Sequence, residues 1–227
     1  MNNVNKPDKV RIVFDCYAKC NGTSVNENAY QGPDMMNKLI GVLLRFRKEP
    51  VAFMADIEAM LHQVNVSVDD RDFLRFLWWP NSDLNMGLTV HLLGGVWSPS
   101  CCNYVIRHAV EERRMAYGDE VVNTVLRNFY VDDCLKLVAS EDKATSLIRG
   151  LRSVLQECGF NLTKWTSNSG TVLPAIPESD RSISSSVNLQ ETDILAERAL
   201  GVRCREPKEP VAFIHGSQRV ILSTSQV

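Results

Sequence analysis

The sequence predicts an α+β domain built on a largely antiparallel sheet. Three observations carry that reading: short β-branched or aromatic runs bounded by turn residues, amphipathic segments of helical spacing between them, and neighbouring strands that border tight hairpins rather than only long crossovers. The 227 residues suffice for one good-sized domain or two small ones. Hydrophobic residues at 44% and charged residues at 23% exclude wholesale disorder and fibrous classes.

Along the chain, Val10 to Phe14 reads as a strand, followed by a polar turn to Gly22. Apolar residues at 36, 39, 40, 43 and 44 follow helical spacing, with Asp34 as a candidate N-cap and Pro50 as the stop. Val51 to Ala55 is a buried-type strand leading into Asp56, with a short helix expected over 58–64. Phe73 to Trp79 is expected to pair with Thr89 to Leu93 across the loop 80–87. Ser98-Pro99 opens a helical pattern through Tyr117, since serine suits an N-cap and proline the first helical position. Another helical piece is predicted over 121–127.

Phe129 to Val138 reads as two strands folded back at Asp132-Asp133. Ser140 is placed to cap the next helix, Glu141 and Asp142 suit its first turn, and Gly159 suits a left-handed stop. Strands are expected at 160–165 and 199–203, separated by an exposed connection at 177–193. The hexapeptide Lys-Glu-Pro-Val-Ala-Phe occurs at 48–53 and again at 208–213. A single six-residue echo is not a repeat architecture.

Net charge is −2, with 25 Lys and Arg against 27 Asp and Glu, so the chain as a whole does not grip nucleic acid by charge alone. Residues 1–50 carry a local excess, eight basic residues against five acids, which a solvated surface also explains. No apolar stretch is long enough for a membrane span, and with Asn2, Asn3 and Asn5 after Met1 no signal peptide is expected. The seven cysteines are odd in number with no C-x-x-C pair, so reduced thiols, no structural zinc and an intracellular setting, cytoplasm or nucleus, are expected.

Chemistry points to acids. Asp56 ends an apolar strand and Asp132-Asp133 sit at the apex of an apolar hairpin. Carboxylates gathered at strand ends repel one another unless a cation is bound, and Mg²⁺ takes carboxylate oxygens. Asp-Asp at a hairpin tip is equally good turn chemistry, so Tyr-x-Asp-Asp taken alone is weak.

The ordered series is stronger. It comprises Val10-Arg11-Ile12-Val13-Phe14-Asp15, Gln31-Gly32-Pro33-Asp34, Met54-Ala55-Asp56 with the run to Val64, Gly94-x-x-x-Ser98-Pro99, Phe129-Tyr130-Val131-Asp132-Asp133 and Gly159-Phe160-x-Leu162-x-Lys164-Trp165. Over residues 6–204 this series resembles the fingers and palm of retroelement reverse transcriptases. Two phrases, Arg71-Asp72-x-Leu74-Arg75-Phe76-Leu77-Trp78-Trp79-Pro80 and Leu162-Thr163-Lys164-Trp165-x-Ser167-Asn168, resemble those of BEL/Pao-type LTR retrotransposons in particular.

The resemblance implies a polymerase palm, an antiparallel sheet with packed helices, plus partial fingers and no thumb. Its partition would be fingers at 1–50, palm at 51–204 with inserted fingers elements at about 65–93, and a divergent, poorly ordered tail at 205–227. It implies RNA-directed DNA polymerase activity with RNA or DNA template, primer and dNTP as partners. Asp56, Asp132 and Asp133 would bind two Mg²⁺ ions, with Mn²⁺ as a substitute. One ion would lower the pKa of the primer 3′-hydroxyl and the other would hold the triphosphate.

By the same resemblance, Arg11, with Lys9 or Lys6 nearby, would contact the triphosphate. Gly94, Ser98 and Pro99 would line the nucleotide and template pocket, Tyr130 would stack near the primer terminus, and Lys164 would protonate the leaving pyrophosphate. Leu200-Gly201-Val202 would form the primer grip. Two positions depart from the pattern: Leu61 stands where a Phe or Tyr usually excludes the ribose 2′-hydroxyl, and Leu93 where many relatives carry Gln.

No thumb, connection, RNase H or integrase segment is read in these residues, and no Asp-Thr-Gly or Asp-Ser-Gly triplet of an aspartic peptidase. Such segments would be partners from a longer polyprotein, and without a thumb weak duplex grip and poor processivity are expected. Two alternatives stand beside the polymerase: a catalytically inactive transposon remnant that at most binds nucleic acid or protein, and another palm-type nucleotidyltransferase such as an RNA virus polymerase.

Overall fold

The computed structural model describes residues 14–76 and 88–182 in full, together with the backbone of short strands at 2–3, 6–10, 86–87, 198–199, 202–203, 213–215 and 218–220. The chain divides into two compact units, Met1–Met36 with Ala59–Val105, and Asn37–Glu58 with Ile106–Val227.

The second unit is built on a four-stranded antiparallel sheet. Its strands are β1 (Val51–Ile57), β2 (Phe129–Tyr130), β3 (Asp133–Val138) and β4 (Leu162–Ser167), in the spatial order β2-β3-β1-β4. Central strand β1 is buried at six of its seven positions, as its apolar run requires when both faces are covered. On one face Ala52, Met54 and Leu135 pack with Val42 and Phe46 from α1 (Leu39–Arg45) and its C-terminal cap, and Leu43, Tyr130 and Leu137 close that cluster. On the other, Phe53 meets Trp165 of β4, ring centroids 6.0 Å apart. Helices α4 (Asp119–Asn128) and α5 (Glu141–Glu157) pack against the sheet and each other.

Helix α5 follows its sequence signals. Ser140 Oγ accepts a hydrogen bond from the Lys143 N–H, a third-position cap. Its end is a Schellman motif: Gly159, at φ +83°, donates to the Gln156 carbonyl while Phe160 N–H reaches the Leu155 carbonyl at 2.8 Å.

Other elements differ from expectation for identifiable reasons. Asp34 does not cap α1; its carboxylate accepts from Met36 N–H in a local turn, and the helix begins at Leu39. The long helical pattern from Ser98 divides into α2 (Ser98–Glu112) and α3 (Arg114–Tyr117), interrupted at Arg113.

In the first unit, the stretch expected as a strand over 73–79 begins as a 3₁₀ helix (Val68–Leu74), followed by a two-residue strand (Arg75–Phe76) paired with Met86–Gly87. The 89–91 segment pairs instead with 64–66, where Val66 N–H donates to Thr89 and His91 N–H to Val64. Val66, Leu74, Leu92 and Cys16 form a core of this unit beside that pairing, while residues 77–79 of the expected strand lie outside the described residues.

The backbone strands at 198–199 and 202–203 pair as a hairpin, and 202–203, 213–215 and 218–220 continue one antiparallel sheet. Leu200 and Gly201 of the expected primer grip, and most of the second hexapeptide copy, lie outside the described residues. Among the described residues no helix is long and apolar enough to cross a membrane.

Candidate active site

The site grows from the C-terminal end of β1. Six consecutive pairs run along β1 and β3, from Val51 opposite Val138 to Asp56 opposite Asp133. Because alternate residues share a face, Asp56 and Asp133 stand on the same face as Ala52, Met54, Leu135 and Leu137, at the end where that apolar surface stops. Directly opposed residues hold their Cβ atoms about 4.5–5.5 Å apart, and like charges placed so repel.

The turn of the hairpin is Val131-Asp132, with Tyr130 paired to Asp133. The tip therefore lies one residue earlier than Asp132-Asp133, and Asp133 is the first residue of β3. Val131 sits at φ +54°, a left-handed conformation that costs a β-branched residue about 1–2 kcal/mol. The turn is tied to the end of β1, where Ile57 N–H donates to the Asp132 carbonyl at 2.9 Å; on the other side of β1, Glu58 N–H donates to the Asn161 carbonyl at 2.9 Å.

Electrostatics mark the cluster. The Asp133 carboxyl is pushed up to about 7, first by burial and then by the charges of Asp132 and Asp56, against the easing effect of Lys164. Lys164 Nζ lies 2.8 Å from Asp56 Oδ2. Burial alone would lower the Lys164 ammonium pKa; the bond to Asp56 and the nearby Asp132 and Asp133 outweigh it and raise it. The Asp56 side chain is only 19% exposed and that of Lys164 61%, so the pair spans from the sheet edge outward.

Of the predicted site residues, Asp56, Asp132, Asp133 and Lys164 thus come together in one unit. Tyr130 is in the same unit, half-buried, packed on the α1-covered cluster. Leu61, in a 3₁₀ turn (Met60–Gln63), and Gly94, Ser98 and Pro99 belong to the first unit. The side chains of Lys6 and Lys9, and Arg11 altogether, lie outside the described residues.

Gly94 has a local reason to be glycine: at φ +107° a Cβ there would come within 2.5 Å of the Phe14 carbonyl oxygen. Asn26, which no sequence signal singled out, clamps this loop through Nδ2 to the Gly94 carbonyl and Oδ1 from the Val96 N–H, both at 3.0 Å. Ser98 is fully buried, and its Oγ and His91 Nδ1 are the buried side-chain atoms without a hydrogen-bond partner among the described residues.

The donor set suits a hard divalent cation, since it offers carboxylate oxygens whose mutual repulsion a cation would relieve. It is not closed into a cage. Among the described residues no group of three or more His, Cys, Asp or Glu is placed to hold a metal ion, and the ammonium of Lys164 sits on Asp56. The fit is one of donor chemistry rather than of finished geometry.

The fold as a whole has counterparts among solved structures. A foamy virus protease-reverse transcriptase in complex with double-stranded DNA superposes with a TM-score of 0.53 at 17% identity, over 70% of this chain and 25% of the viral one. The fold is reverse transcriptase-like. A second structure, a mutant of the prototype foamy virus protease-reverse transcriptase, gives a TM-score of 0.54 at 14% identity over 73% of this chain and 20% of its own. The chain therefore spans about a fifth to a quarter of those proteins, and at such identity the likeness carries the fold. No protein-family model and no curated protein matches the sequence.

Proposed function

We propose that this chain is the fingers-and-palm portion of an RNA-directed DNA polymerase of the BEL/Pao retrotransposon type, extending a primer 3′-hydroxyl with dNTPs on an RNA or DNA template. The carrying observation is the in-register opposition of Asp56 and Asp133, with Asp132 in the adjoining turn, at the end of a sheet of reverse transcriptase-like fold. Supporting it, burial first and then the charges of Asp132 and Asp56 push the Asp133 carboxyl up to about 7.

In this reading Asp56, Asp132 and Asp133 would hold Mg²⁺, which when bound supplies charge neutralisation for the triphosphate and activates the primer hydroxyl. The chain's own contribution is placement. β1 and the β2–β3 turn fix the carboxylates on rigid elements, Tyr130 is seated beside them, and Lys164 offers a cationic N–H at the rim. Arg11 and Lys9 would meet the triphosphate, and Gly94, Ser98 and Pro99 would line the nucleotide pocket. Leu61 would discriminate poorly against a ribose 2′-hydroxyl. The partition into fingers, palm and tail, an intracellular location and thumb, RNase H and integrase partners from a longer polyprotein belong to the same proposal.

The test is Mg²⁺-dependent primer extension on a homopolymer template. Wild-type protein, supplied with a thumb segment if needed, is expected to incorporate dNTP, and Asp132→Asn to lose incorporation by about 10²-fold or more, as for removal of a group acting only on developing charge. Absence of incorporation by both would favour the inactive remnant.

A further inference from the structure

The pairing of β1 with β4 is not regular. Asp56 opposes Thr163 and Met54 opposes Thr166, so two residues, Lys164 and Trp165, face the single residue Ala55. This is a β-bulge, and its first residue, Lys164, takes a left-handed backbone at φ +53°. Extended without a break from the Asp56–Thr163 pair, the ladder would set Lys164 opposite Ala55, on the face away from Asp56. The extra residue serves both neighbours. Trp165 turns inward to full burial beside Phe53, its Nε1 donating to the Leu162 carbonyl at 3.1 Å, and Lys164 is freed to swing its ammonium onto Asp56.

A lysine in a conformation that favours glycine, at the irregular point of this ladder, with its ammonium 2.8 Å from Asp56 Oδ2, calls for a functional account. We propose that Lys164 is the resident counter-cation of this site: in the metal-free chain its ammonium neutralises Asp56, and a divalent cation loads by displacing it. Lys164 is then a positioning residue that sets metal affinity. It keeps three crowded carboxylates compatible with folding when no ion is present, and leaves Asp56 when one arrives. The inference rests on Asp56 being a metal ligand, but not on the chain completing a polymerase reaction.

The experiment uses the full chain with Mn²⁺ as the probe, free Mn²⁺ being read by electron paramagnetic resonance and Mg²⁺ by competition. Lys164→Met and Lys164→Gly are expected to bind Mn²⁺ about two- to fivefold more tightly than wild type, the scale of losing a partly exposed ion-pair competitor. Lys164→Gly suits the left-handed backbone, so a folding defect cannot mimic the result. Lys164→Arg is expected to restore wild-type affinity. Lys136→Met removes an equal charge from β3 without touching Asp56 and is expected to leave affinity unchanged. In EDTA, a double-mutant cycle of Asp56→Asn with Lys164→Met is expected to show coupling in urea unfolding.

Unchanged or weaker binding in both Lys164→Met and Lys164→Gly would overturn the proposal. So would an equal gain in Lys136→Met, absence of Mn²⁺ binding in every variant, or zero coupling in the cycle. Tighter Mn²⁺ binding without primer extension would leave the counter-cation role standing and refute the polymerase reading alone.

Discussion

Strand β1 has two neighbours, and they treat it differently. Toward β3 the ladder is regular for six pairs, so that simple alternation carries Asp56 to a position facing Asp133. Toward β4 the ladder slips by one residue, which drives Trp165 into the core and brings Lys164 onto Asp56. The regular edge gathers like charges, and the irregular edge supplies the opposite one. Crowded acids at the end of a rigid strand are thus tolerated because a neighbouring strand departs from ideal geometry to reach them.

Three perturbations separate the two edges. Removing the anchor of the irregular side has the largest expected effect: Trp165→Ala empties a fully buried site beside Phe53 and should cost about 3–5 kcal/mol in urea unfolding. A loss of under 1 kcal/mol would mean that the bulge is not held by the tryptophan.

The regular side is tested by charge. A carboxyl whose folded pKa of about 7 lies above its ordinary value of 3.8 favours the fold while protonated. Its contribution is present below about pH 4 and lost as pH rises through 7. Asp133→Asn removes that loss. In metal-free buffer at pH 8 it should raise Tm by about 2–4 °C, corresponding to roughly 1 kcal/mol after allowance for solvent screening at this part-exposed site, with no gain below pH 4. An equal gain at both pH values would place the effect in packing rather than repulsion.

The smallest effect lies at the turn. Val131→Gly relieves a left-handed β-branched residue while leaving all three acids in place, and should stabilise by up to about 1 kcal/mol, less whatever glycine's greater unfolded-state entropy takes back. Marked destabilisation in thermal melts would show that the valine side chain, rather than its backbone, organises the acids.

Much of this was open to reading along the chain. The apolar run of β1 ending in Asp56, the Ser140 cap and Gly159 stop of α5, and the hairpin carrying Asp132 and Asp133 all rest on local preferences that nearby residues do not contradict. Where prediction and structure differ, a competing contact takes the residue. Asp34 is a sound N-cap by type but spends its carboxylate on a local turn with Met36, and residues 89–91 pair with 64–66, next to the core of Val66, Leu74 and Leu92. The clamp of Asn26 on the Gly94 loop joins residues 68 apart, beyond any local spacing rule.

By itself the sequence determined which residue types stand at the ends of which elements: alternation and capping act within a few residues, and they suffice to put carboxylates on the tip of a strand and a hairpin. Only the tertiary structure decided how those carboxylates are tolerated. The bulge at Lys164 leaves as its one linear trace a Leu162-to-Trp165 interval of three where a regular strand would bury alternate positions. Its cause is the competition between burying an indole and continuing a hydrogen-bonded ladder, and that contest exists only once β1 and β4 lie side by side.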